Sequence, residues 1–355
     1  MTYEAELTAT IERIVPLDAV WTERAWARLD SLTKPPRSLG VLERIAAGVA
    51  AVQHTDRPLA RPSAIVLMAG DHGVVAQGVS PYPQEVTMQM VANFVHGGAA
   101  INQIARTSGA ELVLVDVGVA ADTSAMEGVM QYKVALGTAD MTMGPAMTRE
   151  EAAQAVLAGI RVASRLAAEG TRVIGTGEMG IGNTTAASAI TCGLTGAAPA
   201  DVVGRGTGLD DEGVARKVAV IDRALEKNHP DAGDPLGVLA AVGGLEIAGM
   251  AGAVLGAAAR GVCVVADGFI SGAAALVATR MAPNASGYLF PSHLSAEPGH
   301  RVVMDALGLS PVLEFDMRLG EGTGAALAMG IMTAACEVMS GMATFGEAGV
   351  STVTE

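Results

Sequence analysis

Ser63-Ala-Ile-Val-Leu-Met-Ala-Gly-Asp-His-Gly73 decides the fold. Pro62 bounds the run on one side and Gly70 on the other, and no charge interrupts it. A continuous apolar run of this length, without polar alternation, is a strand covered on both faces, which means a parallel sheet. Asp71-His72-Gly73 follows at once. In open α/β sheets ligands gather beyond the carboxyl ends of the strands, so polar residues placed here are site candidates. His72 has no partner at ligand spacing, so the sequence offers no metal site.

Working outward, Glu111-Leu-Val-Leu-Val-Asp-Val-Gly118 and Gly261-Val-Cys-Val-Val-Ala-Asp-Gly268 repeat the pattern, a further run leads into Gly175, and 311–315 reads as the final strand. Helical segments lie between them. Thr148-x-x-Glu151 is a capping box that opens a helix to about Ala168, closed by Gly170. Another helix is expected over about 85–94. Strands alternating with helices from 62 to 316 predict an α/β fold with a doubly wound, mostly parallel, Rossmann-like sheet. Residues 4–15 and 21–32 carry apolar residues at helical spacing, and the tail from Ala325 is helical again. We therefore expect a small helical domain formed from both termini, 1–55 plus 325–355, and a large α/β catalytic domain, 56–324.

Composition limits the function classes. Apolar residues make up 50% of the 355, charged residues 17% and aromatics 3%, so the core is built from small aliphatics and 18 methionines, with 44 glycines allowing close backbone contact. A formal charge of −14, with no basic run, argues against nucleic acid and against an anionic membrane surface. Two stretches, 239–259 and 322–341, are apolar enough to resemble membrane spans. Their glycines, Glu246 and Glu337 make them core helices in our reading. Cys192, Cys263 and Cys336 lie far apart in apolar runs and read as buried thiols of a cytoplasmic protein. The acidic start is not a signal peptide.

Polar and glycine-rich stretches follow the strands. Lys34-Pro-Pro-Arg-Ser-Leu-Gly40 is a proline-stiffened loop from which Lys34 and Arg37 are expected to project as an anion contact. Gly175, Gly177 and Gly180 match G-x-G-x-x-G, although the acidic residue a dinucleotide site needs about 20 positions on is absent. Gly204-Arg-Gly-Thr-Gly208 precedes Asp210, a good N-cap, and a helix carrying Lys217; glycine amides, a helix start and a lysine suit a phosphate. In Asp316-Met-Arg-Leu-Gly-Glu-Gly-Thr-Gly324, three glycines enclose one carboxylate, Glu321, ahead of a helix whose first N–H groups are expected to be unpaired. The small residues leave Glu321 few charged neighbours. Burial raises a carboxylate's pKa and helix amides lower it, so Glu321 is a candidate general base. Glycine loops converging on one sheet edge suggest a phosphorylated small molecule and a carboxylate moving a proton.

Lys34-Pro-Pro-Arg-Ser-Leu-Gly40, Gly70-Asp-His-Gly-Val74, Gly177-Glu-Met-Gly-Ile-Gly-Asn-Thr-Thr185, Gly204-Arg-Gly-Thr-Gly208, Ser292-His-x-Ser-x-Glu-x-Gly-His300 and Arg318-Leu-Gly-Glu-Gly-Thr-Gly-Ala-Ala326 occur in this order. Together they resemble the nicotinate-nucleotide:dimethylbenzimidazole phosphoribosyltransferases of cobalamin biosynthesis, from about residue 30 to the end. The resemblance implies transfer of 5-phosphoribosyl from nicotinate mononucleotide to 5,6-dimethylbenzimidazole with inversion, by a homodimer needing no metal and no cofactor. It implies that Glu321 is the catalytic base and that Glu178 stabilises positive charge on the ribose. Gly177, Gly180, Gly182, Asn183, Thr184, Gly204, Arg205, Gly206 and Lys217 would contact the donor and its phosphate, with Ser292, His293, Gly320 and Gly322 close by. An acceptor pocket would draw on Ser80, Tyr82, Gln84, Gln89, Met90, Met179 and Leu319. Met90 stands where some members carry a glutamine that contacts the acceptor, which bears on acceptor identity. The alternatives are a related transferase acting on another base or a phenol, a nucleotide-binding regulatory protein, and an NAD-dependent oxidoreductase.

Overall fold

The structure, a computed structural model, describes residues 2–206 and 208–351. Thr207 of the Gly204–Gly208 loop and residues 352–355 of the expected C-terminal segment lie outside the described residues. Six parallel strands form one sheet in the order β3-β2-β1-β4-β5-β6. They are β1 (Ser63–Gly70), β2 (Ala110–Gly118), β3 (Val129–Gln131), β4 (Val173–Met179), β5 (Cys263–Ala266) and β6 (Leu289–Pro291). Every residue of β1 is buried, which is why its run is unbroken. The chain winds outward from β1 to β3, then restarts at β4 on the other side of β1. The β1/β4 boundary is therefore the topological switch point, where a ligand crevice is expected.

The expected strand at 311–315 is absent. Only Leu313 makes a bridge, to His293, because Glu314, Phe315 and Asp316 face solvent and Asp316 turns left-handed (φ 53°). The glycines of the fingerprint-like run are also placed differently. Gly175 and Gly177 lie inside β4, with no phosphate loop around them. They admit the helix Thr323–Gly341 against the sheet: a Cβ at Gly175 would come within 2.5 Å of Ile65 Cδ1 and 2.8 Å of Met329 Cε. The capping box at Thr148 and Glu151 and the Asp210 N-cap form as expected. Residues 239–259 divide into Pro235–Val242 and Leu245–Ala258, which is wholly buried.

The chain ends meet. Ala19–Ser31 packs on Val41–Gln53, which packs on Thr323–Gly341. Thr33 N donates to Ala343 O, and Arg28 Nε donates to Met339 O. On this packing we propose the two ends, 1–55 with 325–355, as one helical domain, although Tyr3–Ile11 packs on Arg149–Ala168 and Thr323–Gly341 also contacts β4. Thr323–Gly341 is long and apolar enough to cross a membrane by length and composition; half of its apolar window is buried in the fold. Lys34 does not project. It is buried and pairs with Glu43 at 2.5 Å, fixing the proline loop to the helix behind it. Arg37 is exposed, stacks over Trp26 and pairs with Asp30.

Candidate active site

A cleft of about 620 Å³ opens beside the carboxyl ends of β4 and β5. Glu178 and Met179 end β4 and form its floor, with Asp267 just past β5. Leu319, Gly320 and Glu321 make one wall. Tyr82, Val86 and Met90 make another, and Thr184, Gly206, Glu297 and Arg318 border the far end.

Local backbone aims Glu321. Gly320, Glu321 and Gly322 take φ values of 82°, 64° and 87°, three left-handed residues in succession. Glycine does this freely, whereas Glu321 bears a strain of roughly 1–2 kcal/mol that the surrounding contacts must hold. Its carboxylate is buried and accepts from Ile101 N at 3.4 Å, in the first turn of Ala100–Ser108. Burial raises its pKa, the Ile101 amide opposes this, and the Asp267 charge adds to it. Burial therefore outweighs the helix amide, as a base working near neutrality requires. The expectation of few charged neighbours fails, since Asp267 and Glu178 share the cleft with Glu321.

Asp267 also changes the reading of the helix start. Its carboxylate accepts from Gly322 N at 3.2 Å and Ala325 N at 2.9 Å. The first amides of Thr323–Gly341 are thus held by protein and are not free for a ligand. Burial lifts Asp267 to about 7 despite these amides. Glu178 is lifted further, to about 8, by burial and then by the charges of Glu246, Asp267 and Glu321, against a hydrogen bond from Asn183. A cluster of buried carboxylates cannot all ionise at once unless a cation joins them. The protein alone therefore favours protonated Glu178 near neutral pH.

The phosphate-type residues gather at the far end. Lys217 is buried, and its Nζ donates to Thr184 Oγ1 at 2.7 Å. Burial lowers its pKa to about 8, with Glu297 opposing. Gly206 lies between two side chains: its N–H donates to Glu297 Oε1 at 2.9 Å and its carbonyl accepts from Arg318 Nη1 at 2.7 Å. Gly204 lies against Glu297. Arg205 turns its guanidinium outward to Asp211 and does not line the cleft. Gly180 and Asn183 line the cleft, while Gly182 starts the helix Asn183–Thr195 behind it. His293 lines the cleft, and burial lowers its pKa, so it is neutral. Ser292 is behind it, bonded to Asp267 O. Gly177 and Gly322 face each other beneath Glu321. His72 gives Nε2 to Glu246 at 2.7 Å below the floor.

Of the expected acceptor residues, Tyr82, Met90, Met179 and Leu319 line the cleft. Gln84 and Gln89 do not; they border a separate hollow on the other side of Val86–Val95, because Gln89 and Met90 are adjacent on a helix and point apart. Ser80 bonds its oxygen to Tyr82 N, in the turn before that helix. Sequence reasoning missed Asp267, Glu297 and Arg318. All three fall in stretches already singled out, a strand ending in Asp-Gly and two polar motifs, but nothing local marked them as cleft residues.

The whole chain is also similar to known proteins. A phosphoribosyltransferase family profile matches residues 14–350. The nicotinate-nucleotide–dimethylbenzimidazole phosphoribosyltransferase of Chloroflexus aggregans is 54% identical over 345 residues, 97% of this chain and 98% of the relative. The enzyme of that name from Desulforamulus reducens is 52% identical over 346 residues, 97% of this chain and 99% of the relative. The crystal structure of the Thermus thermophilus enzyme superposes with a TM-score of 0.90 at 50% identity, covering 95% of this chain and 100% of that one. With likeness this close over nearly its whole length, the chain belongs to the family of nicotinate-nucleotide–dimethylbenzimidazole phosphoribosyltransferases.

Proposed function

We infer that the chain transfers the 5-phosphoribosyl group of nicotinate mononucleotide to 5,6-dimethylbenzimidazole, giving α-ribazole 5′-phosphate and nicotinate. The observation that carries the chemistry is Glu321, buried in the cleft on a strained left-handed turn with its pKa raised. The bond from C1′ to the pyridinium nitrogen breaks, and its electron pair neutralises that ring. A lone pair of the acceptor nitrogen attacks C1′ from the opposite face, so β becomes α. Glu321 takes the proton from the acceptor's other ring nitrogen. The pyridinium supplies the cation that the carboxylate cluster needs; its arrival favours ionised Glu178, which then faces the developing oxocarbenium. Tyr82, Val86, Met90, Met179 and Leu319 offer a mainly apolar surface for a planar, methylated base. Incubation with nicotinate mononucleotide and a panel of bases and phenols, with products detected by mass, tests this. Release of no nicotinate with any acceptor would refute it.

Two expectations follow. Lys217→Ala raises the donor KM about tenfold, the effect of losing one charge-assisted contact of roughly 1.5 kcal/mol. An unchanged donor KM would remove Lys217 from the phosphate site. Met90→Gln adds a hydrogen-bonding group to the apolar wall, so the ratio of kcat/KM for purine over dimethylbenzimidazole rises. A constant ratio would place residue 90 outside acceptor recognition, and a related acceptor chemistry would then have to be read from other wall residues.

We also propose that the chain works in the cytoplasm as a homodimer on small molecules, without a membrane. Its described cysteines are free and buried, which suits a reducing compartment. Light scattering showing a monomer at micromolar concentration would remove the dimer.

A further inference from the structure

His72 and Glu246 take no part in the chemistry derived above, yet both are ionisable and fully buried. His72 Nε2 lies 2.7 Å from Glu246 Oε1, and Glu246 Oε2 has no partner among the described residues. Glycine makes room for the pair. A Cβ at Gly244 would come within 2.4 Å of His72 Cε1, and one at Gly70 within 2.9 Å of Glu246 Oε2. Gly180, in the turn that follows Glu178 and Met179, lies over the same imidazole: a Cβ there would be 3.3 Å from His72 Nε2. The pair therefore sits directly beneath the cleft floor.

We propose that the His72–Glu246 pair is a positioning device for Glu178: it fixes a negative charge beneath the floor, so that Glu178 keeps its proton until the donor's cationic ring arrives. The proposal rests on the reading that the donor ring is a pyridinium. Two features hold the charge in place. Glu246 stands in the first turn of Leu245–Ala258, where helix amides favour an anion. Burial opposes a charge on His72, but Glu246, by charge and hydrogen bond, and neighbouring Asp71, by charge, raise its pKa overall. The charges acting on Glu178 are those of Glu246, Asp267 and Glu321, with Asn183 giving it a hydrogen bond. Asp267 and Glu321 line the cleft, whereas Glu246 does not. Its charge is thus out of reach of substrate and persists through the reaction. When the pyridinium enters, the Glu178 proton passes to solvent. When the ring leaves with a neutral nitrogen, the proton returns. The same fixed charge therefore favours the cationic ring of the donor over the neutral ring of the product.

The test is the pH profile of kcat/KM for nicotinate mononucleotide, which reports ionisations of the free enzyme. In the wild-type chain the rate climbs with pH along a limb at about 8, as Glu178 loses its proton. Glu246→Gln keeps an oxygen for His72 and removes the charge. The limb then moves down by about one unit, and below it the variant is up to about tenfold faster than the wild type. A merely structural pair predicts the reverse, a slower enzyme at every pH with the limb in place, and that result overturns the proposal. An unmoved limb overturns it as well. Histidine-ring NMR needs no substrate and no variant. His72 of the wild-type chain stays an imidazolium above about 6.5, the ordinary histidine value, and a ring already neutral there overturns the proposal too. Failure of the wild-type chain to release nicotinate from the nucleotide would instead sink the reading beneath it.

Discussion

Glu321→Gln lowers kcat by about 10²–10⁴-fold, the usual worth of a general base, roughly 3–5 kcal/mol. Donor binding hardly changes, because Gln keeps the shape and an oxygen for the Ile101 amide, which is a long contact at 3.4 Å in any case. A merely structural glutamate predicts the opposite, lost stability with near-normal turnover of the folded fraction. The pH profile gives a second check. Burial raises the Glu321 pKa, and the base must be ionised to act, so kcat rises with pH along a limb above the ordinary carboxylate range. The variant loses that limb. An N-alkylated benzimidazole that still binds has no proton to give. If Glu321→Gln slows this acceptor as much as the natural one, the carboxylate is stabilising the oxocarbenium and is not taking a proton.

What the sequence made legible follows from how far each feature is local. β1 is buried along its whole length and β2 from Val113 to Gly118, so their apolar runs are long and the parallel sheet could be read directly. β3 and β6 have three residues each, too short for any periodicity to show. The run at 311–315 has strand-like composition, but composition does not tell that its last residues face solvent. Lys34 looked free because the sequence does not show Glu43 folding back to meet it. In the site, the glycines around Glu321 marked the turn, since left-handed backbone leaves a local signature. Asp267 and Arg318 left none. One acts on a helix more than 50 positions away in sequence, and the other on Gly206, so only the fold brings these partners together. Burial against helix amides at Glu321 also needed coordinates, because both effects were present and opposed.

Gly177→Ala should cost about 10²-fold in kcat, the price of misplacing a reacting group by roughly 1 Å. Gly177 lies in β4 directly beneath the catalytic turn. A Cβ there would fall 2.6 Å from Glu321 O, 2.8 Å from Glu321 C and 2.9 Å from Gly322 N. These are backbone atoms, so no side chain can rotate away, and the turn itself must lift. That turn is already strained, with Glu321 between two left-handed glycines and Asp267 holding Gly322 N. The added methyl therefore either displaces the carboxylate or loosens the start of Thr323–Gly341, and overpacking of this kind typically costs about 1–3 kcal/mol of stability. Ala at Gly144, where the added Cβ meets nothing within 4 Å, is the matched control. The same variant separates two meanings of these glycines. In a dinucleotide fingerprint, Gly177 would make room for a pyrophosphate, and Gly177→Ala would raise the donor KM with kcat little changed. Here it makes room for the backbone of Glu321, so kcat falls and donor KM holds. A variant that keeps full kcat would show that the turn yields without moving the base, and would remove Gly177 from the geometry that aims Glu321.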